Sequence, residues 1–277
     1  KPFAPADKES ACHFSERQQK LVLEYQNELT QIRNRYINGE ETGFTVICFP
    51  TPEVGDRFPE IFREVIRINT LDYQKYQKIQ QTIIDTLDQG VKVRVLGRGE
   101  NHTDITVALH ELKDPSRETI FENCVADCNI PVGEVFTSPK LAGTNGVLEV
   151  TETFLAGLYY KKLRLVFQDG MVTEYHCSNF ESEEKNQEYL KETIMNHHKS
   201  LPLGEFAIGT NTTAYAVSEK YGIGDQLPVL IAEKMGPHFA VGDTCYSWEE
   251  DCPIYNPDGK EVIARENEVS LLRKEDV

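Results

Sequence analysis

At 277 residues the chain is long enough for one large domain or two of ordinary size, each with its own core. Hydrophobic residues make up 39% and charged residues 27%, and no run of about 18 apolar residues is present, so a membrane-spanning protein is not expected. With 45 acidic against 29 basic residues the net charge of −16 repels a phosphate backbone, which argues against nucleic acid as a partner.

The first thirty residues lack an apolar signal core, and the seven cysteines are odd in number and scattered, which fits reduced thiols in a cytoplasmic protein. Cys124 and Cys128 stand one helical turn apart and Cys245 and Cys252 seven residues apart; neither spacing is that of a zinc finger. The sequence opens on Lys1 and closes at Val277 among charged residues, and it reads as a piece of a longer protein.

In chain order, Leu21, Tyr25, Leu29, Ile32 and Tyr36 recur at helical spacing between Ser15 and Ile37, and Asn38-Gly39 supplies a stop. Phe44 to Phe49 reads as a buried strand closing on Pro50-Thr51-Pro52. Two helices are predicted over Pro59 to Ile68 and Thr70 to Leu87, the second carrying Tyr76, Ile79, Ile83 and Leu87 on one face before Gly90. This first part is expected to be the remnant of an N-terminal α/β domain over residues 1–90.

After Gly90 the texture changes. Val91, Val93 and Val95 alternate with Lys92 and Arg94, and Ile105, Val107 and Leu109 alternate again, the period of half-buried strands. Leu163, Leu165 and Phe167 lead into Asp169-Gly170 and a returning strand from Met171 to Tyr175, a two-residue hairpin. Ser182 caps a polar helix to His198 that turns Tyr189, Leu190 and Ile194 inward. Thr212 to Tyr221 is a further short helix, and Leu227 to Ala232 is an apolar run of either type. The fold class is therefore mixed α/β and α+β, with residues 91–277 expected to form a strand-rich α+β domain.

Three segments of this second part set one metal-competent side chain in an apolar stretch punctuated by Gly or Pro. They are Gly133-Glu134-Val135-Phe136-Thr137, Gly204-Glu205-Phe206-Ala207-Ile208-Gly209 and Met235-Gly236-Pro237-His238-Phe239-Ala240-Val241-Gly242. Pro131 and Gly133 predict a tight turn before Glu134 and a short strand from Val135 to Thr137, ended by Pro139. Alone, Glu134 reads equally well as a turn acceptor or as a functional carboxylate. Taken together, two carboxylates and an imidazole presented where loops enter strands suit either glycosidic cleavage by Glu134 and Glu205 or divalent-metal binding by all three. A single Trp gives little of the aromatic platform that sugar sites use, which favours the metal.

Other candidates read as ordinary. His102-Thr103-Asp104 has ligand spacing but belongs to a strand; His197 and His198 lie on a polar helix; His13, His110 and His176 have no companion motif. Asp243 reads as a turn acceptor, and Cys245 has no His and Asn partners for thiol catalysis.

The stretches Asn129 to Pro139, Leu201 to Thr212 and Leu230 to Tyr246, with Pro50-Thr51-Pro52 and Thr103-Asp104-Ile105-Thr106, resemble the aminopeptidase T family of two-metal aminopeptidases, leucyl aminopeptidase-like enzymes. The resemblance implies hydrolysis of the N-terminal residue of peptides with a free N-terminus by metal-activated water, and metal ligation by Glu134, Glu205 and His238. It implies two divalent metal ions, from among zinc, cobalt, manganese or magnesium, and a homodimer. It also implies catalytic roles for Glu205 and for Tyr246, which stands one residue further from His238 than the family pattern. The family's terminal His-X-Asp pair has no counterpart after His238, so it is expected beyond Val277. The alternative is a catalytically incomplete family member acting as a peptide-binding or dimerisation module.

Overall fold

The computed structural model describes residues 3–4, 16–37, 43, 45–125, 129–155, 158–242, 244 and 253–270. The chain is mixed α and β, and the elements follow the local signals closely where those signals are strong.

Helix α1 runs Glu16–Tyr36 and β1 is the short strand Val46–Ile47. Helices α2 (Phe58–Asn69) and α3 (Tyr73–Leu87) follow, and the Asp72 side chain accepts the backbone N–H groups of Gln74 and Lys75 to start the second. Strands β2 (Lys92–Leu96) and β3 (Asp104–Ala108) form the first alternating pair, with Ile105 and Val107 fully buried. The short strands β4 (Glu118–Thr119), β5 (Glu122–Cys124) and β6 (Asn129–Ile130) lead to β7 (Glu134–Thr137).

Strands β8 (Lys140–Leu155), β9 (Leu158–Gln168) and β10 (Met171–His176) complete a five-stranded antiparallel sheet in the order β10-β9-β8-β3-β2. The turn from β9 to β10 is Asp169-Gly170, both at positive φ (44 and 72°), as the predicted hairpin requires. Helix α4 (Glu183–Thr193) begins at Ser182, whose hydroxyl accepts from the Lys185 N–H. Strand β11 (Leu203–Gly209), helix α5 (Thr212–Tyr221), helix α6 (Val229–Ala232), β12 (Pro237–Val241) and β13 (Glu261–Val262) follow. The apolar run at 227–232 is thus helical over its last four residues.

A four-stranded antiparallel sheet in the order β12-β11-β7-β5 carries the candidate site; β1 pairs with β6 and β4 with β13, both parallel. One buried cluster joins both larger sheets, with Ile105, Val107, Leu165, Phe167, Phe121, Val135 and Phe206, and is covered by Ile84 of α3 and Leu190 of α4. A second joins α2 to α5 and α6 through Ile61, Val65, Ile68, Val217, Leu230 and Ile231. On α3 the inward residues include Gln80 and Ile84, whereas Ile79, expected on the apolar face, is exposed. The apolar face of α1 is also in water: Leu21, Tyr25, Leu29, Ile32 and Tyr36 are all exposed.

Candidate metal centre

Strand register brings the three candidate ligands together. In the central strand β11, Glu205, Ala207 and Gly209 alternate onto one face. Ala207 is opposite His238 in β12, and Gly209 is opposite Glu134 in β7. Residues directly opposite in an antiparallel pair share a face, so Glu134, Glu205 and His238 all project to the same side. Ala207 carries only a methyl group and Gly209 no side chain on that face, so neither crowds the three. Glu205 lies inside its strand rather than at its entry, and the register shifts between Leu203 and Glu205, an irregularity of the kind that re-aims a side chain.

The turn before Glu134 is built as the sequence suggested. Gly133 has φ of 134°, which only glycine adopts without strain, and a Cβ there would come 3.0 Å from the Asn211 Cβ. Asn211 holds the turn by donating from Nδ2 to the Val132 carbonyl at 3.0 Å, while its Oδ1 accepts the Ala214 N–H to start α5. From the other side, Gln80 of α3 is fully buried and donates from Nε2 to the Glu134 carbonyl (3.0 Å), the Cys124 carbonyl (3.0 Å) and Asn123 Oδ1 (2.8 Å). Glu134 is therefore fixed at its backbone before its side chain meets anything.

His238 Nε2 is buried and lies 3.2 Å from Glu134 Oε2 and 3.3 Å from Glu205 Oε1, within ion-pair distance of both carboxylates. Its Nδ1 is 3.2 Å from the Gly236 carbonyl, which requires the proton on Nδ1 and leaves Nε2 a lone pair when the ring is neutral. One atom from each of the three residues lies within 4.8 Å of the others. A cation with ligands about 2.0–2.2 Å away at tetrahedral angles keeps them roughly 3.3–3.6 Å apart. The nitrogen set between two carboxylate oxygens, at 3.2 and 3.3 Å, fits that arrangement.

Lys234, which nothing in the sequence reading singled out, is also at the centre. Its side chain is 1% exposed, its Nζ donates to Glu134 Oε1, and it lies 3.0 Å from a Glu233 carboxylate oxygen. A short 3-10 turn, Glu233–Met235, carries it directly over Gly209. A Cβ on Gly209 would fall 2.3 Å from the Lys234 carbonyl carbon, 2.4 Å from the Glu233 oxygen and 2.6 Å from the Gly236 nitrogen. Backbone bonds from Gly209 N–H to Gly236 O and from Asn211 N–H to Lys234 O lock this crossing. A charged Glu-Lys pair following Leu230-Ile231-Ala232 was the available signal, since an ammonium so placed needs an anionic partner.

Without a cation the charges brace one another. Burial pushes the Glu134 carboxyl up, but contact with His238 and the charges of Lys234 and His238 outweigh it and hold the group at about 2. Burial pushes the His238 imidazole down, but Glu134 and Glu205 outweigh it and raise the ring to about 10. The Lys234 ammonium is likewise raised despite burial by Glu134 and Glu233. Burial raises Glu233, and Lys234 only partly offsets it. A cation ligated by His238 would have to displace the imidazole proton.

The other candidates separate from this group. His102 is exposed, and Asp104 pairs with Arg94 at 2.8 Å across β2 and β3, a strand contact as expected. His176 pairs with Glu183 at 2.9 Å, and His197 and His198 are exposed. Cys48, Cys124 and Cys177 carry free thiols. Tyr246, Asp243 and Cys245 lie outside the described residues. Among the described residues no helix is long and apolar enough to cross a membrane.

Comparison with known proteins follows the same line. Residues 6–247 match the family described as thermophilic metalloprotease (M29). Among solved structures, wild-type AmpT from Thermus thermophilus is similar in fold, with a TM-score of 0.51 and 19% identity over 72% of this chain and 51% of that one. The chain thus spans about half the length of AmpT, at an identity that speaks for fold alone. No curated protein sequence matches.

Proposed function

This chain belongs to the thermophilic metalloprotease (M29) family, and on that premise we propose that it is the metal-binding part of a metal-dependent aminopeptidase, hydrolysing the N-terminal residue of peptides at a two-metal site. The observation that carries the reading is the convergence of Glu134, Glu205 and His238 on one face of the β12-β11-β7 sheet, with the His238 Nε2 aimed between the two carboxylates. Those three residues would hold a divalent ion, with zinc, cobalt, manganese and magnesium as candidates. A second ion would need ligands beyond these three.

When bound, the metal supplies water that is acidic near neutrality and polarises the scissile carbonyl. The chain's own residues do the rest. His238, with Nδ1 on the Gly236 carbonyl, presents Nε2 in one orientation. Glu205 takes the proton of the attacking water and returns it to the departing amine. A carboxylate of this group would take the free α-amine of a peptide, which favours cleavage at its first residue. Tyr246 donates a hydrogen bond to the oxyanion that develops as water adds. A cytoplasmic homodimer and a domain division near residue 90 complete the proposal.

The test is hydrolysis of amino-acyl chromogenic substrates before and after chelation. Turnover lost with the chelator, restored by added metal and absent for N-acetylated substrate is the expected result. Turnover that survives chelation refutes the metal reading, and metal binding without turnover identifies a binding module.

A further inference from the structure

The two oxygens of the Glu134 carboxylate have different neighbours. Oε1 accepts from the Lys234 ammonium, whereas Oε2 faces His238 Nε2 at 3.2 Å and so opens on the pocket shared with Glu205. The ammonium cannot swing away: its side chain is 1% exposed, its backbone is pinned over Gly209, and a Glu233 carboxylate oxygen lies 3.0 Å from it. A carboxylate with one oxygen engaged by a fixed cation has one oxygen left for another.

We propose that Lys234 is a positioning residue that makes Glu134 a one-oxygen ligand, holding Oε1 so that only Oε2 faces the cation pocket formed with Glu205 and His238. The inference rests on the metal reading above and adds a role for a residue outside the ligand set. Two-oxygen chelation by Glu134 raises the coordination number of the ion and removes a position that water or a substrate carbonyl needs. Lys234, shared with Glu233, keeps that position open. A buried ammonium beside a dication lowers the ion's affinity, so the arrangement trades tightness for an open coordination position.

The experiment uses the full chain loaded with Co2+, whose visible absorption weakens as coordination rises from four toward six. The wild type should bind Co2+ with intense bands. In Lys234→Met, which keeps length and burial but removes the charge, the bands should weaken as Glu134 closes on the ion with both oxygens, and the Co2+ dissociation constant should fall by about tenfold or more. Unchanged bands and an unchanged constant in Lys234→Met overturn the proposal while leaving the metal site standing.

Should that variant fail to fold, infrared difference spectra of the wild type on Co2+ addition decide the matter, with Glu134→Gln at saturating Co2+ identifying the Glu134 bands. One-oxygen ligation spreads the two carboxylate stretches apart; two-oxygen ligation draws them together and overturns the proposal. Absence of bound Co2+ in the wild type overturns both the proposal and the metal reading beneath it.

Discussion

Replacing Glu134 with Gln keeps the shape of the side chain and removes one charge from a buried network. In the metal-free chain the Glu134 carboxyl is held at about 2 against an ordinary 4.5, a displacement of about 3 kcal/mol in favour of the folded, ionised form. A second route gives the same scale: removing one partner of a buried pair costs about 3–5 kcal/mol, and Lys234, 1% exposed, would keep Glu233 as its remaining anionic partner. Thermal unfolding of the chelated protein, followed by circular dichroism, should therefore show Glu134→Gln melting about 6–12 °C below the wild type near neutral pH. The sign of the pH dependence follows. A depressed folded pKa contributes stability above the unfolded value and loses it as pH falls, so the gap between the two proteins should close between about 4.5 and about 2. Metal adds a second reading of the same variant. At about a hundred times its dissociation constant a ligand specific to the folded state raises stability by about 2.7 kcal/mol, and Glu134→Gln should gain little from an equal addition. A metal-free variant as stable as the wild type at neutral pH would refute the account of the charge network.

Gly209→Ala should destabilise the chain by about 1–3 kcal/mol and weaken metal binding, since the added methyl meets backbone atoms of residues 233–236 rather than a side chain that can move; calorimetric metal titration matching the wild type would contradict this. Gln80→Leu removes the buried donor shared by Asn123, Cys124 and Glu134, and unfolding in urea should show a loss of about 2–4 kcal/mol, with a loss under 1 kcal/mol counting against the network. Leu29→Glu on the exposed face of α1 should leave the unfolding free energy within about 0.5 kcal/mol of the wild type. A larger loss would mean that this face is covered.

Legibility in the sequence depended on the range of the cause. Helices α2, α3 and α5, the Ser182 cap and the Asp169-Gly170 hairpin follow from neighbours a few residues apart, and the structure has them where the spacing predicted. The same local pattern shows that α1 is amphipathic but cannot say what its face meets; here it meets water. Glu134, Glu205 and His238 stood out because each interrupts an apolar, Gly- or Pro-marked segment, and β-pairing then sets them on one face. Lys234 and Gln80 remained hidden because their roles depend on packing across the chain. Nothing near Lys234 reveals that Gly209 lets a backbone cross above it, or that the crossing ends at a carboxylate 100 residues earlier.

The position of His238 on β12 has a dynamic consequence. This strand is the edge of its sheet, and edge strands open more readily than central ones. A cation gripped by His238 together with Glu205 and Glu134 would fasten that edge to the next two strands, so β12 could peel away only after the ion had left. Amide hydrogen exchange along β12 would then keep time with ion dissociation, and the residence time of a single ion would set how long the edge stays closed.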